Sequence, residues 1–256
     1  MHKPNAKTAI KILSELKSLS SPENLAYFVT PNTILTLSGA RAYSDGIFYS
    51  NNEETLKLWD KEIATAIDIL KTKTNICLAE NKIAKSVTNQ SMASYEIVFY
   101  NGLKGILENT NLINKKATEL LDKKLNSHQL FSRLESLLRQ NKELSNLNSE
   151  DLGHIAFGIL LGYPDKAILS YVTKWSEKNP FSELLIDADI RGASYYDCPQ
   201  PIYSYPRSLA SDISIKTHEK LWSSILKDYF TSDFHKNLEQ NKDFKLKLKQ
   251  LDMVLD

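Results

Sequence analysis

The apolar positions of this chain fall mostly at helical spacing, and the polar positions between them mark where each helix starts and stops. Residues 5–19 put Ala9, Leu13 and Leu16 on one face with lysines between them, an amphipathic helix. Ser21 caps a short helix opening with Pro22 and Glu23, and this helix should stop near Thr30-Pro31, because the residue before a proline avoids helical angles. After Asn51-Asn52, where Asn51 and Glu54 have capping-box spacing, Leu56, Trp59, Ile63, Ala66 and Leu70 form a stripe that predicts a helix to about Lys73. Ile106, Ile113 and Leu120 predict another helix near 102–125, and Phe131, Leu134 and Leu138 mark the one after it. A helix near 217–230 is expected to bury Leu221, Ile225 and Tyr229. At the C-terminus Phe244, Leu246 and Leu248 alternate with lysines as in a strand. Phe244, Leu248, Leu251 and Leu255 also fit a helix, and propensity and length favour the helix.

Strand signals are fewer. The β-branched and aromatic residues flanking Gly39 and Asp45-Gly46 predict a small hairpin within 33–50. The stretch N-I-C-L-A after residue 74 reads as a short strand or a helix start, and S-Y-E-I-V-F-Y up to residue 100 has strand composition. Leu184 to Ile186 reads as a short strand ending in acidic residues. The fold class is therefore mainly α, a helical bundle-like domain with a minor β component near 33–50 and 184–187. The polar run 141–149 divides a helical region, 1–145, from an α+β region, 146–256, unless the whole is one large domain.

The most sharply specified local structure lies in 148–171. Asn148 or Ser149 caps a helix whose first turn carries Glu150 and Asp151, and Leu152, Ile155, Ile159 and Leu160 bury one face. Gly158 and Gly162 leave a bare strip open to close approach by another backbone. Gly162 suits a left-handed C-terminal position and Pro164 the first turn of a second helix. The order Gly158, Gly162, Ile168, Tyr171 has the spacing of a helix-turn-helix. The second helix, however, offers only Lys166 and Lys174 as cations, with Asp165 at its tip, so it is a poor reader of DNA.

The segment H-I-A-F-G-I-L-L-G-Y-P resembles one found in poorly characterised archaeal and bacterial proteins, whose pattern is a His, a Gly, then L-G-Y-P and paired cysteines. The matching positions are His154, Gly158, Leu161, Gly162, Tyr163 and Pro164, while Lys166 and Ala167 stand where the cysteines would fall. The Y-S-Y-P-R-S-L-A-S-D stretch, 203–212, is similar to a second segment of those proteins. The resemblance implies a shared helical corner and no activity.

Composition narrows the setting. Lys plus Arg is 32 against 31 for Asp plus Glu, so overall charge points to neither nucleic acid nor membrane. Cys77 and Cys198 are too few for a disulfide framework or a cysteine zinc site, and no apolar run approaches a membrane span. The expectation is a soluble cytoplasmic protein, with no membrane contact.

Three groups of residues carry candidate chemistry. Asp187 and Asp189, after L-L-I, are similar to the Asp-x-Asp segment of metal-dependent glycosyltransferases, which would make them ligands of a divalent metal that holds a nucleotide diphosphate. The plainer reading is a polar turn in which Asp189 pairs with Arg191. Cys198, His154, His218 and Asp197 include the residue types of a nucleophile–base–orienter set, but no spacing supports one. Tyr195, Tyr196, Tyr203, Tyr205 and Arg207 lie in a proline-interrupted loop; they either line a pocket for a peptide, base or sugar, or pin the loop to the core. The leading expectation is a non-catalytic binding protein using this loop beside the His154–Pro164 corner, Tyr163 included. Its partner would be a protein or small molecule, with no cofactor. A metal-dependent transferase and a DNA-binding protein are the alternatives.

Overall fold

The structure is a computed structural model that describes residues 4–73, 76–85, 91–99, 158, 161–168, 170, 185–187, 189–190 and 203–252. It is mainly α with a minor β component. The chain divides into two compact units. One comprises Met1–Asn101, Arg191–Pro199 and Trp222–Asp256, and the other Gly102–Ile190 and Gln200–Leu221. The helices expected near 102–125 and around Phe131, and the boundary expected at 141–149, lie outside the described residues.

In the first unit, α1 (Ala6–Leu19) is capped by Asn5, whose side chain accepts from the Thr8 amide, and it buries Ala9, Leu13 and Leu16 as the periodicity requires. A 3-10 helix (Pro22–Phe28) follows, and α2 (Pro31–Leu37) starts where the sequence suggested a stop. This overturns the hairpin expected over 33–50. Thr30 caps α2 by accepting from the Thr33 amide at 3.2 Å, and Pro31 occupies the first helical turn, where its missing amide hydrogen costs nothing. Gly39, expected to turn a hairpin, ends the helix instead. Its φ is 80°, its amide bonds to Thr36 O, and the Ala40 amide reaches back to Leu35 O at 2.9 Å, which is a Schellman closure. Burial of Thr33, Ile34, Leu35, Thr36 and Leu37 overrides the β preference of those residues.

The strand half of the expected hairpin is real, but its partner is distant in sequence. β1 (Tyr43–Ser50) pairs antiparallel with β3 (Ser91–Phe99), which also pairs antiparallel with β2 (Ile76–Lys85), giving the order β1-β3-β2. Gly46 lies mid-strand opposite Tyr95, not in a turn. Between β1 and β2 runs α3 (Glu53–Lys73), whose cap is Asn52, one residue later than the capping-box spacing suggested. The Asn52 side chain accepts from the amides of Glu54 at 2.9 Å and Thr55 at 3.2 Å. All five residues of its apolar stripe are buried: Leu56, Trp59, Ile63, Ala66 and Leu70.

In the second unit, the short strand read at 184–187 is β4 (Leu185–Asp187), paired antiparallel with β5 (Ser204–Pro206). Helix α4 (Ile213–Phe230) begins earlier than expected because Asp212 caps it, its Oδ1 accepting from the amides of Ser214 at 2.9 Å and Ile215 at 3.3 Å. Its buried positions are Ile215, Glu219, Trp222, Ile225, Leu226, Tyr229 and Phe230. Leu221, expected in the core, is 43% exposed, and Trp222 takes the inward position. The first unit resumes at Trp222, within α4, and continues through α5 (Asp233–Glu239) and α6 (Lys242–Asp252). Thus the C-terminal stretch is a helix, as propensity and length favoured. It buries Phe244 and Leu251 and, on the same face, Lys247.

Candidate functional site

The corner at 158–168 closes as its glycines and proline demand. Gly162 has a φ of 70°, and the Tyr163 amide bonds back to Gly158 O at 2.9 Å, the long hydrogen bond of a Schellman closure. Pro164 O accepts from the Ile168 amide at 3.1 Å, so the second helix starts immediately. The bare strip at Gly158 is filled by a side chain instead of a backbone. A β-carbon there would stand 2.7 Å from Ile168 Cγ1. The missing methyl of Gly158 is what lets the second helix fold back so closely.

Around this corner the second unit gathers its polar side chains. The Tyr163 and Tyr203 rings are 5.0 Å apart, so the corner and the end of the tyrosine loop do meet. Tyr203 and Tyr205, however, are almost fully buried, 4% and 1% exposed, and their hydroxyls point to partners inside the protein. Tyr203 Oη is 3.2 Å from His218 Nδ1, and His218 Nε2 is 2.7 Å from Gly162 O. A carbonyl accepts only, so Nε2 carries the proton, and in the neutral ring Nδ1 accepts from the tyrosine. One imidazole thereby ties the corner and α4 to Tyr203, the residue before β5.

Next to it, Glu219 accepts three hydrogen bonds. The Tyr205 hydroxyl donates to Oε1 at 2.7 Å, the Asp189 amide to Oε1 at 3.0 Å, and Lys216 Nζ to Oε2 at 2.8 Å. Burial pushes this carboxyl up, but the bonds from Lys216, Tyr205 and the Asp189 amide outweigh it and hold the pKa below the usual carboxylate range. The same contact, set against partial desolvation, raises Lys216. The Tyr203 and Tyr205 phenols are pushed above their ordinary value, first by burial and then by the charge of Glu219, which Tyr205 also meets through its hydrogen bond. They stay protonated donors through the physiological range.

Lys166, one of the two cations offered for DNA contact, pairs with the helix cap Asp212. That contact, with further bonds from Ser214 and the Ile215 amide, draws the Asp212 carboxyl far below its ordinary range. At the surface stand Arg207 and the half-exposed Tyr163. Asp187 closes β4, and Asp189 is exposed, tethered through its amide to Glu219. Among the described residues no His, Cys, Asp and Glu side chains gather in threes or more as a metal site. His154, Tyr195, Tyr196, Lys174, Arg191, Asp197 and Cys198 lie outside the described residues.

No family model, curated protein or solved structure matches the chain. The site is therefore read from its own residues, and the likeness of 154–164 to the L-G-Y-P segment remains a local one.

Sequence reasoning missed three members of the cluster: Asp212, Lys216 and Glu219. Glu219 did carry a signal. It falls between Ile215 and Trp222 at helical spacing, a carboxylate on an apolar stripe, which requires a partner if the stripe is buried. Asp212, ahead of Ser214 and Ile215, was legible as a helix cap. Among the described residues, no helix is long and apolar enough to cross a membrane.

Proposed function

We propose that this chain is a non-catalytic binding protein that offers the outer side of the 161–168 corner and of the turn after β5 to a protein or small-molecule partner. The observation that supports this reading is the stack of half-exposed Tyr163 on buried Tyr203, itself held by His218. An aromatic ring held by a bonded scaffold, with Lys166 and Arg207 exposed in the same unit, loses little conformational freedom on contact. Arg and Tyr are also the residue types over-represented where partners bind. A cytoplasmic setting belongs to this reading, on the low cysteine content. DNA is a poor fit, since Lys166 is already paired with Asp212.

The test is a thermal-shift screen against acidic peptides, nucleotides and saccharides, run beside Arg207→Glu and Tyr163→Ala. A ligand that binds the folded state raises stability by about 2.7 kcal/mol at a hundredfold excess over its Kd. The shift, measured against each variant's own unliganded Tm, should vanish in both variants. A ligand whose shift survives both substitutions rules out this surface.

A second reading rests on Asp187 at the end of β4 with the exposed Asp189 two residues on, residue types that serve as ligands of a divalent cation. A manganese-dependent shift with a nucleotide-sugar, lost in Asp187→Ala/Asp189→Ala, would favour a transferase over the binding protein.

A further inference from the structure

Lysine 247 occupies a core position of α6. It lies on the same helical face as Phe244 and Leu251 and is buried with them, its side chain 8% exposed. A lysine so placed must find compensation for its lost hydration. The first unit supplies it from two elements remote in sequence. Lys247 Nζ donates to Glu62 Oε2 at 2.7 Å, and lies 5.3 Å from the ring centroid of Tyr27 and 5.9 Å from that of Trp59. The Tyr27 hydroxyl donates to the same Glu62 oxygen at 2.6 Å, which fixes the carboxylate that faces the ammonium. Phe48 braces both rings edge-on, 5.2 Å from Tyr27 and 6.2 Å from Trp59. Tyr27, Phe48 and Trp59 are each buried.

Two aromatic rings and a fixed carboxylate converging on one ammonium are the parts of a cation cage, in which ring quadrupoles replace water and the carboxylate supplies the counter-charge. An apolar side chain at position 247 would fill the same space but leave the Glu62 charge uncompensated. Arginine would bring a larger planar group to a site shaped around a point charge. We propose that Tyr27, Trp59 and Glu62 form a primary-ammonium receptor, occupied in cis by Lys247, so that α6 docks onto the first unit as a self-ligand. The cage takes alkylammonium groups as a class, and Lys247 holds it because it is tethered. A lysine side chain of another protein is the competing ligand this chemistry would accept when α6 is displaced.

Chemical rescue in the full-length chain tests this. Lys247→Ala trims the side chain to its β-carbon, and propylammonium restores the missing atoms; 1-propanol is its neutral counterpart. The variant should lose roughly 5 °C or more in Tm. Propylammonium chloride should recover part of that loss saturably, while 1-propanol and sodium chloride at equal concentration should not. The wild-type Tm should show no such response, and adding Glu62→Gln to the variant should abolish the rescue. Lys247→Met provides the second arm. If it matches the wild-type Tm, or if 1-propanol rescues Lys247→Ala as well as propylammonium does, the cage is a hydrophobic slot and the proposal is overturned. Should Lys247→Ala precipitate, its refolding yield from urea with each additive is read by the same criterion.

Discussion

Replacing Gly158 by alanine probes how the corner at 158–168 closes. Gly158 is helical and buried, so alanine suits its backbone, and the question is only whether the added methyl has room. The methyl would lie 2.7 Å from Ile168 Cγ1, 3.0 Å from Cδ1 and 3.3 Å from Cγ2. Unstrained carbon contacts lie at about 3.5–4.0 Å. Ile168 is itself only 4% exposed, so the contact is relieved by moving packed atoms. Overpacking of this kind costs about 1–3 kcal/mol, and the better helix propensity of alanine returns about 1 kcal/mol. The single variant should therefore fall between neutral and about 2 kcal/mol destabilised. The decisive quantity is a double-mutant cycle with Ile168→Ala, which removes all three clashing atoms. In that background Gly158→Ala should gain about 1 kcal/mol, giving a coupling of about 1–3 kcal/mol. Urea unfolding followed by far-UV circular dichroism measures it, with unchanged m-values showing that the unfolded state is not at issue. If the two substitutions add to within about 0.5 kcal/mol, Ile168 does not sit on Gly158 and the geometry given for the corner is wrong.

Two further predictions address titratable groups. His235 is fully buried between the rings of Tyr229 and Phe230, at 5.3 and 5.1 Å, and burial lowers its pKa against a weaker opposing pull from Glu239. The unfolded chain then takes up this proton first, so the contribution is complete above pH 6.5 and is lost as pH falls from there toward the lowered folded value. The expected loss approaches about 1.4 kcal/mol per pH unit in that window, and a pH series of urea titrations should show His235→Phe lacking it; an unchanged slope refutes the assignment. At the Glu219 cluster the order of damage should be Glu219→Ala, then Glu219→Gln, then Lys216→Ala. Alanine strands the Tyr205 hydroxyl and the Asp189 amide at about 1–3 kcal/mol each, glutamine keeps an acceptor for both, and Lys216, half exposed, contributes little. Equal Tm losses for Glu219→Ala and Lys216→Ala would show that the cluster is not held by those two donors.

Local physics was legible in the sequence wherever one segment contained its own answer. The stripe of α3, the C-terminal helix, the left-handed Gly162 and the helix start at Pro164 follow from spacing, propensity and backbone sterics, all settled within a few residues. Tertiary contact decided the rest. The segment 33–37 is a helix because its residues are buried on several sides at once, which overrides what β-branched composition prefers. β1 finds its partner in β3, across α3 and β2, and no local pattern encodes so distant a register. Trp222 turns inward where Leu221 was expected, since both fit a helical period and only the neighbouring surface chooses between them.

The candidate site divides in the same way. A binding surface built on both the corner and the tyrosine loop requires the two to lie together, and Tyr163 does meet Tyr203. The inward burial of Tyr203 and Tyr205, by contrast, depends on His218 and Glu219 standing opposite them. Lys247 shows the limit most sharply. Its spacing from Phe244 and Leu251 puts it on the apolar face of α6, but only the arrival of Tyr27, Trp59 and Glu62 from elsewhere in the chain supplies the partners that let this one lysine be buried. Backbone preferences can be read from sequence because they act over one or two turns. Which charge is desolvated, and which ring faces it, is an outcome of packing between segments far apart along the chain.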